Sequence, residues 1–129
     1  MMDRVDLYVS VPRLSPQELL DLKSAPGEPS SVVRARVAAA RKRQWARGKE
    51  LGVWCNAELP ERFLKSSESL SSEGRKELSS SAQTLRLTGR GVVRVLRVAR
   101  TIADLKGDSL IGPEAVMEAL ACRQGSVLS

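Results

Sequence analysis

The segment between Thr88 and Gly107 constrains the fold of this chain more than any other part of the sequence. Thr88 is a favourable N-cap residue and Gly107 is a favourable residue just beyond a helix C-terminus, so both ends of one helix are marked. Apolar side chains gather along one side of this helix at roughly 100° per residue, namely Val92, Val95, Leu96, Ala99, Ile102 and Ala103. Other segments must cover that side, which predicts a protein built mainly from packed helices.

The opposite side of the same helix is basic. Arg90, Arg94 and Arg97 fall within an arc of roughly 60°. Arg90 lies in the first turn, where free N–H groups and the helix dipole disfavour a cation, and the glycines on either side let a ligand approach the backbone. A guanidinium beside free N–H groups suits an anion, with phosphate the first candidate. The alternative for Arg90 is an ordinary solvated arginine, and we expect Arg94, Arg97 and Arg100 to be solvated surface.

Composition favours acidic or phosphate-bearing partners. The 129 residues carry a formal net charge of +6 and suit one domain with a core of its own. Much of the positive charge is arginine, which can bind phosphate through two parallel hydrogen bonds. The aromatic residues are few, which argues against an extended stacking platform for single-stranded nucleic acid; they are Tyr8, Trp45, Trp54 and Phe63.

Several kinds of chemistry are excluded by what the chain lacks. There is no histidine, and Cys55 and Cys122 are the only cysteines, which excludes the usual zinc sites and nucleophile pairs with histidine. There is no GxxxxGK[ST] loop and no acidic cluster suited to a metal. We therefore expect this fragment to be catalytically inert and to bind no cofactor alone. The lack of an apolar run of membrane-spanning length and of a secretory signal predicts a cytoplasmic protein.

The first segment with a clear pattern is a β-strand. Apolar residues alternate from Arg4 to Val11 and Pro12 ends the run. No later segment offers a convincing partner strand, and a lone strand leaves its N–H and C=O groups unpaired. We therefore expect an orphan strand whose sheet belongs to polypeptide upstream of Met1.

The remaining segments predict helices joined by short connections, which together make a small bundle. Ser15 caps a short helix, and a proline-containing linker follows over residues 23–29. The next helix, capped by Ser30 or Ser31, is expected to end at Gly48. Its predicted seam is Val33, Val37 and Ala40.

The second half of the chain predicts three more helical segments besides the arginine-bearing helix. The first is one or two helical turns over 59–64, and the second is a helix over 72–85 whose apolar stripe is Leu78, Ala82 and Leu85. The last helix begins at Pro113 and ends near Arg123, and it is expected to bury Val116, Ala119 and Leu120. The predicted organisation is therefore a terminal strand over 1–12, a short helix and linker over 13–29, a helical domain over 30–123 and a tail over 124–129.

Three stretches of the sequence resemble one known family. They are MDRVDLYV at 2–9, SSVVRARV at 30–37 and VRVLRVARTIADL at 93–105, of which the last is the most specific. Each is similar to a segment of the magnesium-chelatase-like AAA+ ATPases, and the pattern is that of the ComM subgroup of competence-related proteins. The resemblance extends from Met2 to about Arg123.

The resemblance implies a fold and a set of site residues. It implies that the chain holds the last strand of an AAA+ ATPase core, which would explain the orphan strand, followed by the helical lid. It implies that Arg4 is an arginine finger acting in trans and that Arg90 is the nucleotide-binding sensor-2 residue. Arg94 and Arg97 are candidate phosphate or DNA contacts. No metal-binding residue is expected, because the spacing of Asp and Glu along the chain does not suggest a metal site.

The resemblance also implies what the intact protein does. We expect an ATP hydrolase that uses ATP and Mg²⁺, forms a hexamer with neighbouring subunits, and couples hydrolysis to DNA remodelling by helicase or branch-migration activity in recombination or transformation. Two alternatives remain open: a stand-alone basic helical DNA-binding domain that resembles a helix-turn-helix, and an adaptor bundle with no ligand of its own. The fragment alone is expected to be a monomer.

Overall fold

The computed structural model describes residue 7 and residues 27–128, with side chains described as far as Arg123. Arg4, the rest of the predicted strand and the short helix predicted after Ser15 lie outside the described residues. The helical domain predicted from residue 30 lies within them.

Four long helices account for most of the described chain, which confirms the predicted small helical bundle. They are α1 (Ser30–Leu51), α3 (Ser72–Leu85), α4 (Gly89–Lys106) and α5 (Pro113–Leu128), with a 3₁₀ turn at Asn56–Glu58 and the single-turn helix α2 (Glu61–Leu64) between α1 and α3. Residues 27–128 contain no sheet. One parallel bridge joins Leu70 to Ile111, immediately before α3 and α5.

The ends of α4 confirm Thr88 and Gly107 as its capping residues, and α3 also starts with a side-chain cap, whereas α1 begins at Ser30 after Pro29 with no side-chain cap. The Thr88 hydroxyl accepts a hydrogen bond from the Gly91 N–H at 3.0 Å, and Gly107 follows α4 with a left-handed φ of 82°. The Ser71 hydroxyl accepts from the Gly74 N–H at 3.0 Å and starts α3 in the same way. Each cap satisfies backbone groups that a helix terminus leaves without an intrahelical partner.

Helix α4 lies at the centre of the bundle, with α5 and α1 packed against it and α3 packed on α5. Most of its predicted apolar side is buried, and Val92 and Ile102 are half-buried against the same core. Opposing side chains come from every other helix and from the loops; among them are Leu59, Leu64, Leu78, Ile111, Val116, Ala119 and Leu120. The prediction that other segments cover this side of α4 is confirmed.

The seam predicted for α1 is wrong over its first half. Ala40 is buried, but Val33 is 40% exposed and Val37 is 46% exposed. All of residues 30–39 are exposed, and the buried positions of α1 begin only at Ala40, followed by Gln44 and Gly48. A helical period identifies a face but not whether a partner covers it.

Gly48 does not end α1, contrary to the prediction. The helix continues to Leu51, and Gly52 ends it with a left-handed φ of 73°. Gly48 instead allows a close approach, since a Cβ built there would lie 2.0 Å from the carbonyl oxygen of Val53. The glycine is needed for packing of the returning chain and not for a change of backbone direction.

Two further expectations need correction. Helix α5 continues to Leu128 and does not end near Arg123; no proline follows Pro113 to interrupt it. In α3 only Leu78 of the predicted stripe is buried, and Leu85 is 38% exposed at the end of the helix. No helix within residues 27–128 is both long and apolar enough to cross a membrane.

Candidate functional site

Arg90 is exposed in the first turn of α4. The position beside it is open, since a Cβ built at Gly89 would meet nothing within 4 Å. A second guanidinium approaches the same turn from α5, because a Cβ built at Gly91 would lie 3.4 Å from Nη2 of Arg123. The start of α4 therefore combines accessible backbone with two arginine side chains, which is a favourable environment for an anion.

The other predicted contact residues on α4 are less accessible. Arg94 and Arg97 are both half-buried, which corrects the expectation that they are ordinary solvated surface. Nη2 of Arg97 donates to the carbonyl oxygen of Leu59 at 3.3 Å. Arg97 thus holds the segment between the 3₁₀ turn and α2 against α4. Arg4, the predicted arginine finger, lies outside the described residues.

Arg100 is the largest departure from the sequence-based expectation. It was expected to be solvated, but only 1% of it is exposed. Its Nη1 donates to the carbonyl oxygens of Ser109 at 3.0 Å and Ser69 at 3.3 Å, and its Nη2 donates to that of Asp108 at 2.9 Å. Burial lowers the pKa of Arg100, and the nearby carboxylate of Asp104 opposes that effect.

The helical wheel explains why Arg100 is buried. At roughly 100° per residue it lies roughly 20° from Val93 and 40° from Leu96, on the covered side of α4. Its two terminal nitrogens are accommodated because the loops before α3 and α5 present backbone carbonyls to them, whereas its Nε is buried without a hydrogen-bond partner. A guanidinium has five N–H donors, so one side chain can satisfy several such acceptors.

Asp104 connects the arginines of two helices. Its side chain is fully buried, and its Oδ1 lies 2.7 Å from Nη2 of Arg47 and 3.2 Å from Nη2 of Arg100. Its Oδ2 accepts from Nη1 of Arg47 at 3.1 Å and from Nδ2 of Asn56 at 2.8 Å. A buried carboxylate is tolerated only when such partners compensate for its lost hydration.

Further hydrogen bonds extend this network. Nη1 of Arg43 donates to the backbone carbonyl of Asp104 at 2.7 Å, near the C-terminus of α4. Asn56 receives a hydrogen bond from Arg47 at 2.9 Å and donates its backbone N–H to Oε1 of Gln44 at 3.1 Å. The network therefore joins α1, the 3₁₀ turn, α4 and the loops before α3 and α5, and it fixes the orientation of α4. We call it the Asp104 network.

Sequence reasoning missed the Asp104 network. The signal that could have found part of it is the spacing of Arg100 and Asp104, which are four residues apart on one helix and carry opposite charges. The contributions of Arg47 and Asn56 depend on how α1 and the 3₁₀ turn pack on α4, and local sequence does not specify that packing.

Residues 27–123, which include nearly all of the bundle, match the family described as "Magnesium chelatase, subunit ChlI C-terminal". This chain belongs to that family. Both the exposed turn at Arg90 and the Asp104 network therefore lie within a C-terminal region of the AAA+ type. The stretch 93–105, which is the most specific part of the family resemblance, forms the centre of the core. Packing in the core therefore accounts for part of the sequence pattern of that stretch.

Longer proteins share this region. The chain is 37% identical to YifB of Escherichia coli over 122 residues, which are 95% of this chain and 23% of that protein. It is 38% identical over 124 residues to Rv2897c of Mycobacterium tuberculosis, which are 96% and 24% of the two lengths. It is 35% identical over 122 residues to the competence protein ComM of Haemophilus influenzae, again 95% and 23%. The chain thus spans about a quarter of the length of these curated relatives.

Proposed function

We propose that this region is the C-terminal helical lid of a cytoplasmic, ring-forming AAA+ ATPase and that Arg90 binds nucleotide phosphate as its sensor-2 residue. The observation that carries the proposal is the exposed guanidinium of Arg90 at the capped start of α4, within a chain of the ChlI C-terminal family. ATP and Mg²⁺ would be held by the ATPase core of a longer polypeptide.

The arrangement of α4 supports a sensing role. One end of the helix presents Arg90 to solvent, and the other end is fixed in the bundle through Asp104. A guanidinium can hold a terminal phosphate with two hydrogen bonds and loses that contact when the phosphate leaves. Because α4 is packed against α5 and α1, a displacement of its first turn would move the whole bundle.

Arg4 is proposed as the arginine finger that reaches the nucleotide of the neighbouring subunit in a hexamer. Its guanidinium would stabilise the negative charge that develops on the transferred phosphoryl group, an effect of about 10³–10⁵ in kcat in related NTPases. The proposed work of the ring is DNA remodelling, by helicase or branch-migration activity. The family and the relative named as a competence protein support this assignment.

The sensor assignment is tested by Arg90→Ala in the full-length polypeptide that carries the ATPase core. We expect at least a tenfold loss in ATP turnover or in nucleotide affinity, because a charge-assisted contact to phosphate is worth about 1.5–3 kcal/mol. Arg62→Ala is the matched control, since Arg62 is an exposed arginine on α2. Unchanged turnover and affinity in Arg90→Ala would reject the sensor role.

The finger assignment is tested by Arg4→Ala in the same full-length protein. Hydrolysis should be abolished while nucleotide binding is largely retained, because the finger acts on the transition state. Mixing these subunits with subunits that cannot bind ATP should restore part of the activity, since the second kind still supplies Arg4 to its neighbour. Persistent turnover in Arg4→Ala would reject the assignment.

A further inference from the structure

Two tryptophans lie together on the surface near the end of α1. Trp45 is 58% exposed and Trp54 is 71% exposed. Their ring centroids are 6.3 Å apart and their planes are inclined by 58°. They border a surface cleft of about 380 Å³ whose other lining residues are Gly48, Lys49, Gly52 and Val53. We call this surface the tryptophan cleft.

The exposure of both rings is unusual. Tryptophan is highly buried on average because its ring contributes a large apolar area. Neighbouring exposed aromatic rings on a folded domain are typical of a binding surface. The close approach of the chain at Gly48 brings Val53 and the loop that carries Trp54 back against α1, since any larger side chain there would collide with the backbone of Val53.

The surroundings of the tryptophan cleft are basic. Arg34, Arg41, Lys42 and Lys49 are exposed on α1 and lie within roughly 60° of Trp45 around the helix. No ion pair among the described residues involves any of these four cations.

Acidic groups are sparse around the same surface. Glu50, the one acidic residue of α1, lies roughly 140° away from Trp45 around the helix. Glu58 is closer, since its Oε2 accepts the backbone N–H of Trp54 at 3.1 Å. The cleft therefore combines apolar rings with four exposed cations, and the carboxylate of Glu58 offsets only part of that positive charge.

We propose that the tryptophan cleft binds single-stranded nucleic acid. Unpaired bases would stack on the exposed faces of Trp45 and Trp54, and the cations of α1 would contact the phosphates. Arg41, Trp45 and Lys49 lie one helical turn apart, so ring and charges alternate along one line of the helix. This combination of aromatic platform and basic track is how strands are held without sequence preference.

Charge and ring chemistry distinguish this ligand from others. A protein partner would need acidic side chains to match the four cations, whereas every strand of nucleic acid supplies phosphates. A duplex offers phosphates but keeps its bases stacked inside, where the indole faces do not reach them. Counting aromatic residues along the chain argued against a stacking surface, but the fold places two of the four at one location.

This proposal adds a strand-binding surface to the DNA remodelling proposed above. It rests on that proposed function only for the process in which the strand would be bound. The cleft lies on α1 and on the loop after it, and Arg90 lies at the start of α4. Strand binding by the cleft requires no nucleotide. The two assignments therefore fail or succeed in separate experiments.

The test uses the 129-residue chain without ATP and an unlabelled oligo(dT) of about 15 nucleotides. Trp45 and Trp54 are the two tryptophans of the sequence, so intrinsic tryptophan fluorescence reports on the cleft alone. We expect the fluorescence to be quenched on binding and the affinity to fall as salt rises. A blunt duplex of the same length should bind at least tenfold more weakly.

Substitutions at the cleft separate stacking from charge. Trp54→Ala should weaken binding about tenfold, and Trp54→Phe should restore part of the loss, because stacking on one ring is worth about 1–3 kcal/mol per base. Lys49→Ala should reduce the slope of log affinity against log salt by about 0.7. Lys76→Ala, which removes an exposed lysine from α3, is the matched control and should leave tryptophan quenching unchanged.

Three outcomes would overturn the proposal. One is equal affinity for the strand and the duplex, and another is binding that leaves the fluorescence unchanged or that Trp54→Ala does not weaken. The third is concentration-dependent self-association of the chain through the tryptophans, which would make the cleft a protein interface. Circular dichroism of each variant distinguishes lost binding from lost folding. Loss of ATP turnover in Arg90→Ala would leave all of these results unaffected.

Discussion

The two ends of α4 use arginine in opposite ways. At the start of the helix, Arg90 is exposed and the neighbouring Gly89 faces open space. Three turns later, Arg100 is 1% exposed and donates to three backbone carbonyls besides its ion pair with Asp104. The residue type and the helix are the same. The difference lies in what covers each end.

Coverage of the C-terminal half comes from α1 and from the loops before α3 and α5. These segments and the 3₁₀ turn supply acceptors for the terminal nitrogens of Arg100 and donors for Asp104, so burial of both charges is largely compensated. The first turn has no such cover over Arg90 in the described chain. An arginine therefore stabilises the fold where backbone carbonyls accept its hydrogen bonds. It stays available to a ligand where no such carbonyls surround it.

Removing the carboxylate at the covered end should have the largest effect. Asp104→Ala leaves Arg100 buried without its charge partner and removes one acceptor each from Arg47 and Asn56, so we expect a loss of about 3–5 kcal/mol in the free energy of unfolding. Urea denaturation followed by circular dichroism measures it. Asp108→Ala is the matched control, because the side chain of Asp108 is exposed. A loss below about 1 kcal/mol would show that the Asp104 network is not the main constraint on α4.

Changing the geometry of the buried cation should have an intermediate effect. Arg100→Lys keeps the positive charge but cannot reach Ser69, Ser109 and Asp108 together, so some carbonyls lose their donor. We expect a loss of about 1–3 kcal/mol, measured in the same way. Arg97→Lys is the comparison, since Arg97 is half-buried and makes one weaker bond to Leu59. If the two substitutions lowered the free energy of unfolding equally, burial of Arg100 would not make it more important for stability than Arg97.

Removing the exposed arginine should have the smallest effect on stability. Arg90→Ala takes a cation away from the positive end of the helix dipole, so at low salt the free energy of unfolding should rise by about 0.3–1 kcal/mol. Thermal unfolding at low and high salt measures the change, which salt should reduce. A marked destabilisation would mean that Arg90 supports the fold, and the contrast between the two ends of α4 would disappear.

The parts of the fold that the sequence predicted depend on local chemistry. Thr88 and Gly107 define α4 because capping involves only neighbouring backbone, and Ser71 and Pro113 do the same for α3 and α5. The exposed position of Arg90 followed from the helical period. The sequence did not predict which helix faces are covered. Val33 was expected to be buried but is exposed, and Arg100 was expected to be exposed but is buried.

The candidate site, like the fold, could be predicted only where it depends on residues close together in the sequence. Family resemblance and the helix dipole both led to Arg90, and its role remains a prediction. The pairing of Trp45 with Trp54 was not predictable, because it depends on the reversal of the chain after α1 at Gly52. The Asp104 network likewise joins residues up to 61 positions apart, and no local pattern encodes such a contact.

The bridge between Leu70 and Ile111 has a consequence for how the bundle opens. The Ile111 N–H donates to Ser69 at 2.7 Å and the Ser71 N–H donates to Ile111 at 3.0 Å, beside the Arg100 guanidinium. Although these amides lie outside the helices, their exchange with deuterated solvent should be as slow as that of the core of α4. Two loops some forty residues apart would then be released only by global unfolding, and the described bundle would open as one cooperative unit.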